Sequence, residues 1–316
     1  VIASIQKRFE EFRQQPRVQA RSLIISVFGD AILLRGGRVW LGSLVQLLEP
    51  LDLNERLIRT SVFRLVKEEW LVAQTVGRRA DYVLTAVGRR RFEEAARHIY
   101  ASRAPAWDHR WRLIFTIGEL DARERERVRS ALFWQGFGLL GSDCFVHPGA
   151  DLSVAFDALA AEGLNDVIGR LIPMLAADAG AALSASGADL VRKAWSLEPL
   201  ELAYGDFVSM YNPILTELRA ERAADIAPQD AFLLRTLLIH DYRRLLLRDP
   251  ELPEVLLGRN WAGQTARAIC RDLYRRLLIA SETHLDRHLV LADGTMTTAS
   301  SGLAQRFAPD DPLAPS

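Results

Sequence analysis

The stretch Asn54-Glu55-Arg56-Leu57-Ile58-Arg59-Thr60-Ser61-Val62-Phe63-Arg64-Leu65-Val66-Lys67-Glu68-Glu69-Trp70-Leu71 decides how the N-terminal third of the chain is read. Ile58, Val62 and Leu65 recur at helical spacing and form one apolar face. Arg56, Thr60 and Lys67 fall on the opposite face, with Arg59 and Arg64 close to them. Asn54 stands where a helix N-cap belongs, because its side chain can accept a bond from a free backbone N–H of the first turn. Phe63 interrupts the polar stripe.

Working outward, residues 1–20 read as a loosely tied arm containing Pro16. Arg21–Leu33 is an apolar run that predicts a buried helix. Arg35-Gly36-Gly37-Arg38 reads as a loop. Trp40–Leu48 predicts a second helix with Leu41, Leu44, Val45 and Leu48 on one face, ended by Pro50. Beyond Trp70 the pattern turns extended. Leu71–Val76 and Tyr82–Thr85 flank the turn-like Gly77-Arg78-Arg79-Ala80-Asp81 and predict a β-hairpin. A basic helix with Arg89, Arg90, Arg91 and Arg97 follows to Tyr100. Three helices and then a hairpin is the order of a winged helix-turn-helix, expected over residues 21–100.

The chemistry fits that shape. Arginine offers paired donors to guanine edges, and hydroxyls reach phosphate or base. Arg56, Arg59, Thr60, Ser61 and Arg64 supply these groups on the third helix. Arg78 and Arg79 at the hairpin tip are placed for phosphates or a minor groove. Arg38 completes the candidate DNA-binding set. The plainer alternative is a solvated helix face beside an ordinary turn, since charged residues are usually exposed for solubility alone. The coincidence of helix order, hairpin and basic tip favours DNA.

Residues 101–108, with Pro105, read as a linker. Beyond it, Trp111–Ile117 predicts a strand, Asp121–Trp134 a helix, Phe137–Val146 an extended segment, Asp151–Glu162 a helix and Val167–Met174 a strand. That alternation implies a ferredoxin-like α+β domain over 109–196. Leu202–Glu221, Pro228–Leu247 and Ala262–Leu278 are helical in pattern and define a helical C-terminal domain over 197–291, expected to serve effector binding and dimerisation. Residues 292–316 are rich in Thr, Ser, Asp and Pro and are expected to fray. The whole is therefore an α+β multidomain chain.

Bulk properties agree. At 316 residues the chain suits two or three domains. Hydrophobic residues at 49% and charged residues at 25% make it globular rather than disordered. Lys and Arg number 40 and Asp and Glu number 40, so a wholly basic nucleic-acid coat is excluded while a local basic surface is not. Cys144 and Cys270 stand far apart, which argues against a disulfide framework or zinc module and for a reducing cytoplasm. No run has the length of a membrane span, and Lys7, Arg8, Glu10 and Glu11 stand where a signal peptide needs an apolar stretch. The opening residue, Val1, is not a methionine, which fits a start lying upstream.

Catalytic signals are weak. His284 and His288 have an i, i+4 spacing that can hold a metal, but no Glu or Cys accompanies them, and a charged helix end is the better reading. Asp121 is better read as a cap than as a nuclease carboxylate, and Glu119 is expected to point elsewhere. Gly136, Gly138 and Gly141 precede a strand rather than a helix and make a poor phosphate loop. No nucleophile–base order, Walker loop or metal set emerges, so no enzyme activity, metal or cofactor is expected. On the predicted C-terminal helices, His240, Tyr242, Arg243, Arg244 and Arg248, with Trp261 after a Pro-containing loop, form a basic and aromatic cluster. It reads as an effector pocket or, equally from spacing alone, as a helix-packing surface.

Arg56 to Leu71 resembles the recognition helix of the PaaX family, repressors of phenylacetate degradation with a GntR-like winged helix. Supporting pieces are Phe28-Gly29-Asp30, Arg35-Gly36-Gly37, Trp40-Leu41-Gly42-Ser43-Leu44, Gly77-Arg78-Arg79, Pro105-Ala106-Trp107-Asp108, Trp134-Gln135-Gly136-Phe137-Gly138, Ile239-His240-Asp241-Tyr242-Arg243-Arg244, Asp249-Pro250-Glu251-Leu252-Pro253 and Trp261-Ala262-Gly263-Gln264-Thr265-Ala266. The resemblance implies a Cas2-like middle domain, a homodimer on double-stranded operator DNA, and an acyl-CoA effector, phenylacetyl-CoA. It tilts the His240–Trp261 cluster towards the pocket reading. Two departures stand out: Glu69 replaces a common Gly at the end of the recognition helix, and Gly258 replaces a common Pro. A nucleic-acid-processing enzyme built on the middle domain, or an acyl-CoA enzyme with an accessory DNA-binding domain, are the competing readings.

Overall fold

A computed structural model describes residues 3–15, 20–178, 185–220 and 226–308. The arm expected at the N-terminus is instead a helix, α1 (Ala3–Arg13), that buries Ile5, Arg8, Phe9 and Phe12. Those positions recur at three- and four-residue steps, which is why the segment forms an amphipathic helix rather than a coil. Helix α2 (Ala20–Val27) continues through a π-helical turn at Phe28–Ile32 and a 3-10 turn at Leu33–Arg35. A short strand the sequence reading missed, β1 (Arg38–Trp40), precedes α3 (Leu41–Leu48). Next come α4 (Glu55–Lys67), β2 (Leu71–Val76), β3 (Arg79–Leu84) and α5 (Ala86–Ile99).

The strands form an antiparallel sheet in the order β1-β3-β2. Val76 pairs with Arg79, so the hairpin loop is only Gly77-Arg78, shorter than the sequence suggests. Gly77 has φ of 61°, as a two-residue hairpin loop with glycine first requires. Helix α4 ends with Trp70 N–H donating to the Leu65 carbonyl at 2.9 Å, and Glu69 takes φ of 61° to allow it. The left-handed backbone that glycine would take easily is therefore kept here by a glutamate.

The middle of the chain runs β4 (Arg110–Thr116), α6 (Ala122–Trp134), β5 (Gly138–Leu140), β6 (Cys144–His147), α7 (Leu152–Ala161), α8 (Asn165–Ile168) and β7 (Leu171–Ala177). The extended segment expected at Phe137–Val146 is thus a hairpin of two strands, and the last strand starts later than expected. The strands pair antiparallel in the order β5-β6-β4-β7, the split β-α-β arrangement of ferredoxin-like domains. One core lies between the sheet and α6 and α7, around Ile114, Val128, Leu132, Phe145 and Leu159. A second, with Trp111, Val146, Val191, Leu252 and Leu256, involves α9 (Gly187–Ala194).

Long helices follow: α10 (Glu198–Ala220), α11 (Pro228–Leu246) and α12 (Ala262–His288), then a 3-10 turn at Ser301–Gln305. They do not make a unit of their own. Among the described residues, one compact unit is drawn from 3–102, 204–245 and 265–308, and the other from 103–203 and 246–264. Most of α11 and α12 therefore belongs with the N-terminal helices and hairpin. α11 is buried on every side from Ala231 to His240, as expected of the central helix of such a unit. The tail expected to fray from residue 292 is docked as far as it is described: Phe307 is fully buried and Arg306 nearly so. Residues 309–316 lie outside the described residues. Among those described, no helix is long and apolar enough to cross a membrane.

Candidate nucleic-acid interface and effector residues

Asn54 caps α4 as its residue type predicts, its Oδ1 accepting from Leu57 N–H at 2.9 Å. Ile58, Val62 and Leu65 are buried beneath the helix. Arg56, Arg59, Thr60, Arg64 and Lys67 are exposed on its other side. Arg59 folds back on Glu55, with Nε 2.9 Å from Oε1, and Thr60 Oγ1 donates to the Arg56 carbonyl at 2.8 Å. Ser61, expected among the DNA contacts, is instead buried, and its hydroxyl donates to the Leu57 carbonyl at 2.9 Å. It stands three residues after Ile58 and four before Leu65, so it shares their face. Phe63 is 67% exposed and packs under nothing.

At the hairpin tip Arg78 is exposed. The Arg79 guanidinium lies 4.4 Å from the Trp40 ring centroid, a cation–π stack that holds the tip against the start of α3. Arg38 is not a free DNA contact. Its Nε is 2.8 Å and its Nη2 2.6 Å from Oδ2 of Asp81, whose side chain is wholly buried. Asp81 also accepts from Ala292 N–H at 2.7 Å. A buried carboxylate needs such partners, so Arg38 is a structural cation. Side chains of Arg56, Arg64 and Arg78 have no hydrogen-bond or ion-pair partner among the described residues. Between α3, α4 and the hairpin lies a cleft of about 650 Å³ lined by Trp40, Glu55, Arg59, Thr75, Arg78 and Tyr82.

The candidate effector residues divide between the two units. His240 and Tyr242 are buried. His240 Nδ1 is 3.3 Å from Ser26 Oγ, and burial pushes its imidazole down to about 4. Arg243 donates from Nε to Ser26 Oγ at 3.1 Å and from Nη2 to Ser22 Oγ at 2.6 Å. His240 and Arg243 fasten α11 to α2 instead of facing a ligand, and the Tyr242 ring lies 5.7 Å from that of Phe207 on α10. Arg244 is exposed. Arg248 is exposed and Trp261 buried in the other unit.

The sequence reading missed a buried polar cluster centred on Asp30. Asp30, on the π-helical turn, is buried and accepts from Arg235 Nε at 2.8 Å, Arg306 Nη1 at 2.8 Å, Tyr100 Oη at 2.7 Å and Tyr274 Oη at 3.0 Å. Burial alone would raise its carboxyl. Arg235 and Arg306 overcome that and hold it below the usual carboxylate range. Arg35 extends the group, donating to Asp286 and the Thr297 carbonyl. An acid inside the apolar Arg21–Leu33 run was the available signal, because an aspartate is rarely buried without a cation.

Asp121 caps α6 in a reciprocal box with Glu124, and Glu124 pairs with Arg170 at 2.7 Å. His284 and His288 lie with ring centroids 4.5 Å apart and planes tilted by 34°. Among the described residues no cluster of three or more His, Cys, Asp or Glu is arranged to hold a metal.

This combination defines a class: a multidomain α/β protein with an arginine-faced helix and hairpin near its N-terminus, a ferredoxin-like centre and long C-terminal helices. Residues 19–88 match the PaaX-like protein family, 104–169 the PaaX protein central Cas2-like domain, and 195–287 the PaaX-like protein C-terminal domain. The chain is 37% identical over 293 residues to the transcriptional repressor PaaX of Escherichia coli strain K12, covering 92% of this chain and 90% of that protein. The chain belongs to the PaaX family. Its fold is similar to that of an uncharacterized protein from Mycobacterium tuberculosis, with a TM-score of 0.51 and 24% identity, covering 83% of this chain and 98% of that one.

Proposed function

We propose that this chain is a transcriptional repressor of phenylacetate catabolic genes. The N-terminal elements act as a winged helix: α4 reads base edges in a major groove, and the Gly77-Arg78 tip of the β2–β3 hairpin meets the neighbouring backbone or minor groove. The observation that carries this is the exposed set Arg56, Arg59, Thr60, Arg64 and Arg78 on one helix face and one tip, with the Arg56, Arg64 and Arg78 side chains uncommitted. Family membership supports the regulatory reading over a catalytic one. The repressor works in the cytoplasm as a homodimer, because one winged helix reads few base pairs and two match an inverted repeat. Phenylacetyl-CoA releases it from the operator by preferring a conformation that places the two reading heads badly; a tenfold loss of DNA affinity needs a coupling of about 1.4 kcal/mol. A DNA mobility assay at fixed salt tests the proposal, comparing operator with random DNA and adding phenylacetyl-CoA, CoA or phenylacetate. Equal affinity for both DNAs, or release by free phenylacetate, overturns it.

A further inference from the structure

Two stretches on which the family resemblance rests, Trp134-Gln135-Gly136-Phe137-Gly138 and Asp249-Pro250, lie outside the elements proposed to read DNA. They line one cleft of about 610 Å³, wholly within the unit built on the Cas2-like domain. That volume falls within the range of about 300–1,000 Å³ typical of small-molecule sites. One wall is the C-terminal half of α6 with Arg129, Phe133 and Trp134; another is the segment from Leu247 to Pro250 with Arg248.

The floor is built to stay in place. Trp195 Nε1 donates to the Gly136 carbonyl at 3.0 Å. A Cβ on Gly138 would stand 2.6 Å from the Trp195 ring, so only glycine lets the indole lie against this turn. His147 Nδ1 accepts from Gly149 and Ala150 N–H at 2.8 and 2.7 Å. Its ring lies 5.4 Å from Phe137 and hydrogen-bonds the Pro250 backbone, joining the two stretches. Burial keeps this imidazole neutral by pushing it down to about 4.

Two of the lining side chains, Trp134 and Arg248, are uncommitted. Trp134 is 82% exposed, in no ring or hydrogen-bond contact among the described residues. Arg248 is exposed and likewise unpaired. Arg129 lies over the Phe133 ring at 5.1 Å and only 3.8 Å from Glu126. Asp249, the other acid here, accepts from Glu251 N–H in its own turn. A free indole face and an exposed phenyl ring beside two guanidiniums suit a ligand that carries both a planar ring and negative charge.

The geometry points to this cleft as the binding site for an anionic ligand bearing a planar ring, which, resting on the repressor reading above, is the acyl-CoA effector. Trp134 and Phe133 stack on the ring, and Arg248 and Arg129 take phosphate oxygens. The effector site thereby moves from the buried α11 cluster to the middle unit, and Arg248 alone of the cluster read from sequence takes part.

The test is calorimetric titration of the full chain with phenylacetyl-CoA, with CoA and phenylacetate in parallel. Arg248→Ala and Trp134→Ala, both at exposed positions, should each weaken phenylacetyl-CoA binding about tenfold or more. Melting temperature and ligand-free operator affinity should stay unchanged. Arg276→Ala, an exposed position in the other unit, is the control and should bind as the parent does. Parent-like affinity in both cleft variants overturns the site while leaving the effector reading intact. No binding of the thioester to the parent chain overturns both. Loss of dimer mass in Trp134→Ala with thioester affinity kept makes the cleft an interface between copies and overturns the ligand site.

Discussion

Asp30 and Arg235 meet inside the molecule, 205 positions apart in sequence, with carboxylate Oδ2 and guanidinium Nε at 2.8 Å and both side chains at 2% exposure or less. The pair ties the π-helical turn after α2 to the central helix α11. Arg306 and the hydroxyls of Tyr100 and Tyr274 complete the carboxylate's shell. Such a pair is weak evidence of net stabilisation, but removing one partner leaves a buried charge unmatched.

Asp30→Asn is therefore expected to destabilise the unit that contains it by about 3–5 kcal/mol. Urea unfolding followed by circular dichroism measures it, together with the m-value. A shift below about 1 kcal/mol would show that the guanidiniums find other partners. Phe307→Ala tests the same region from the tail. Its ring is fully buried, with centroids 5.4 Å from those of Tyr100 and Tyr274, and its truncation is expected to cost about 3–5 kcal/mol.

His240 sets a pH dependence. An unfolded imidazole takes its proton near 6.5, whereas burial delays protonation of the folded one to about 4. Between those values the unfolded chain binds more protons. Stability therefore falls as pH is lowered from about 6.5 to about 4, by at most about 1.4 kcal/mol per pH unit for this residue, and the loss levels off below. His240→Gln should flatten the slope in a denaturation series over that range. An unchanged slope would place the proton uptake elsewhere.

Glu69→Gly should stabilise the chain by about 0.5–1 kcal/mol. The left-handed backbone costs a non-glycine residue about 1–2 kcal/mol, partly offset by the greater freedom of an unfolded glycine. Thermal denaturation decides the sign, and a lower midpoint would mean that the Glu69 side chain contributes more than its backbone costs.

On DNA, Arg56→Ala and Arg64→Ala should cost about 1–3 kcal/mol each on operator and little on random sequence, whereas Arg78→Ala should weaken both alike and reduce the salt slope by about one. Arg38→Ala should act mainly on stability, because it strands Asp81. Titrations at several salt concentrations, paired with melting curves, separate the two kinds of effect. If Arg38→Ala changed operator affinity with melting unchanged, its assignment as a structural cation would fail.

Much of this was legible in the sequence, for identifiable reasons. Asn54 and Asp121 announce their helices because capping is local chemistry, and the β2–β3 hairpin follows from extended runs around Gly77. Ser61 misled because hydroxyl residues occur on either face of a helix, and Thr60 beside it does point outward. The helix Ala3–Arg13 does carry a signal in the spacing of Ile5, Phe9 and Phe12, against which the polar composition of the segment suggests an arm. His240, Tyr242 and Arg243 could not be assigned by periodicity, since α11 is enclosed on every side from Ala231 to His240 and that stretch has no polar face to contrast with. Residues 292–308 have a composition typical of disorder, and their order comes from distant side chains: Arg306 reaching Asp30, and Ala292 reaching Asp81.

The span between Asp30 and Arg306 is 276 positions. During synthesis on the ribosome, Asp30 emerges early and Arg235 much later, while the second guanidinium appears only after α12 has been made. Until then the acid at the heart of the N-terminal unit faces incomplete charge compensation, and Phe307 is absent from the space beside Tyr100 and Tyr274. A message truncated, or a nascent polypeptide stalled, before Arg306 yields a chain with every arginine of the proposed DNA-reading face but with neither the second guanidinium on Asp30 nor the buried Phe307 ring, so its interior is left unfinished.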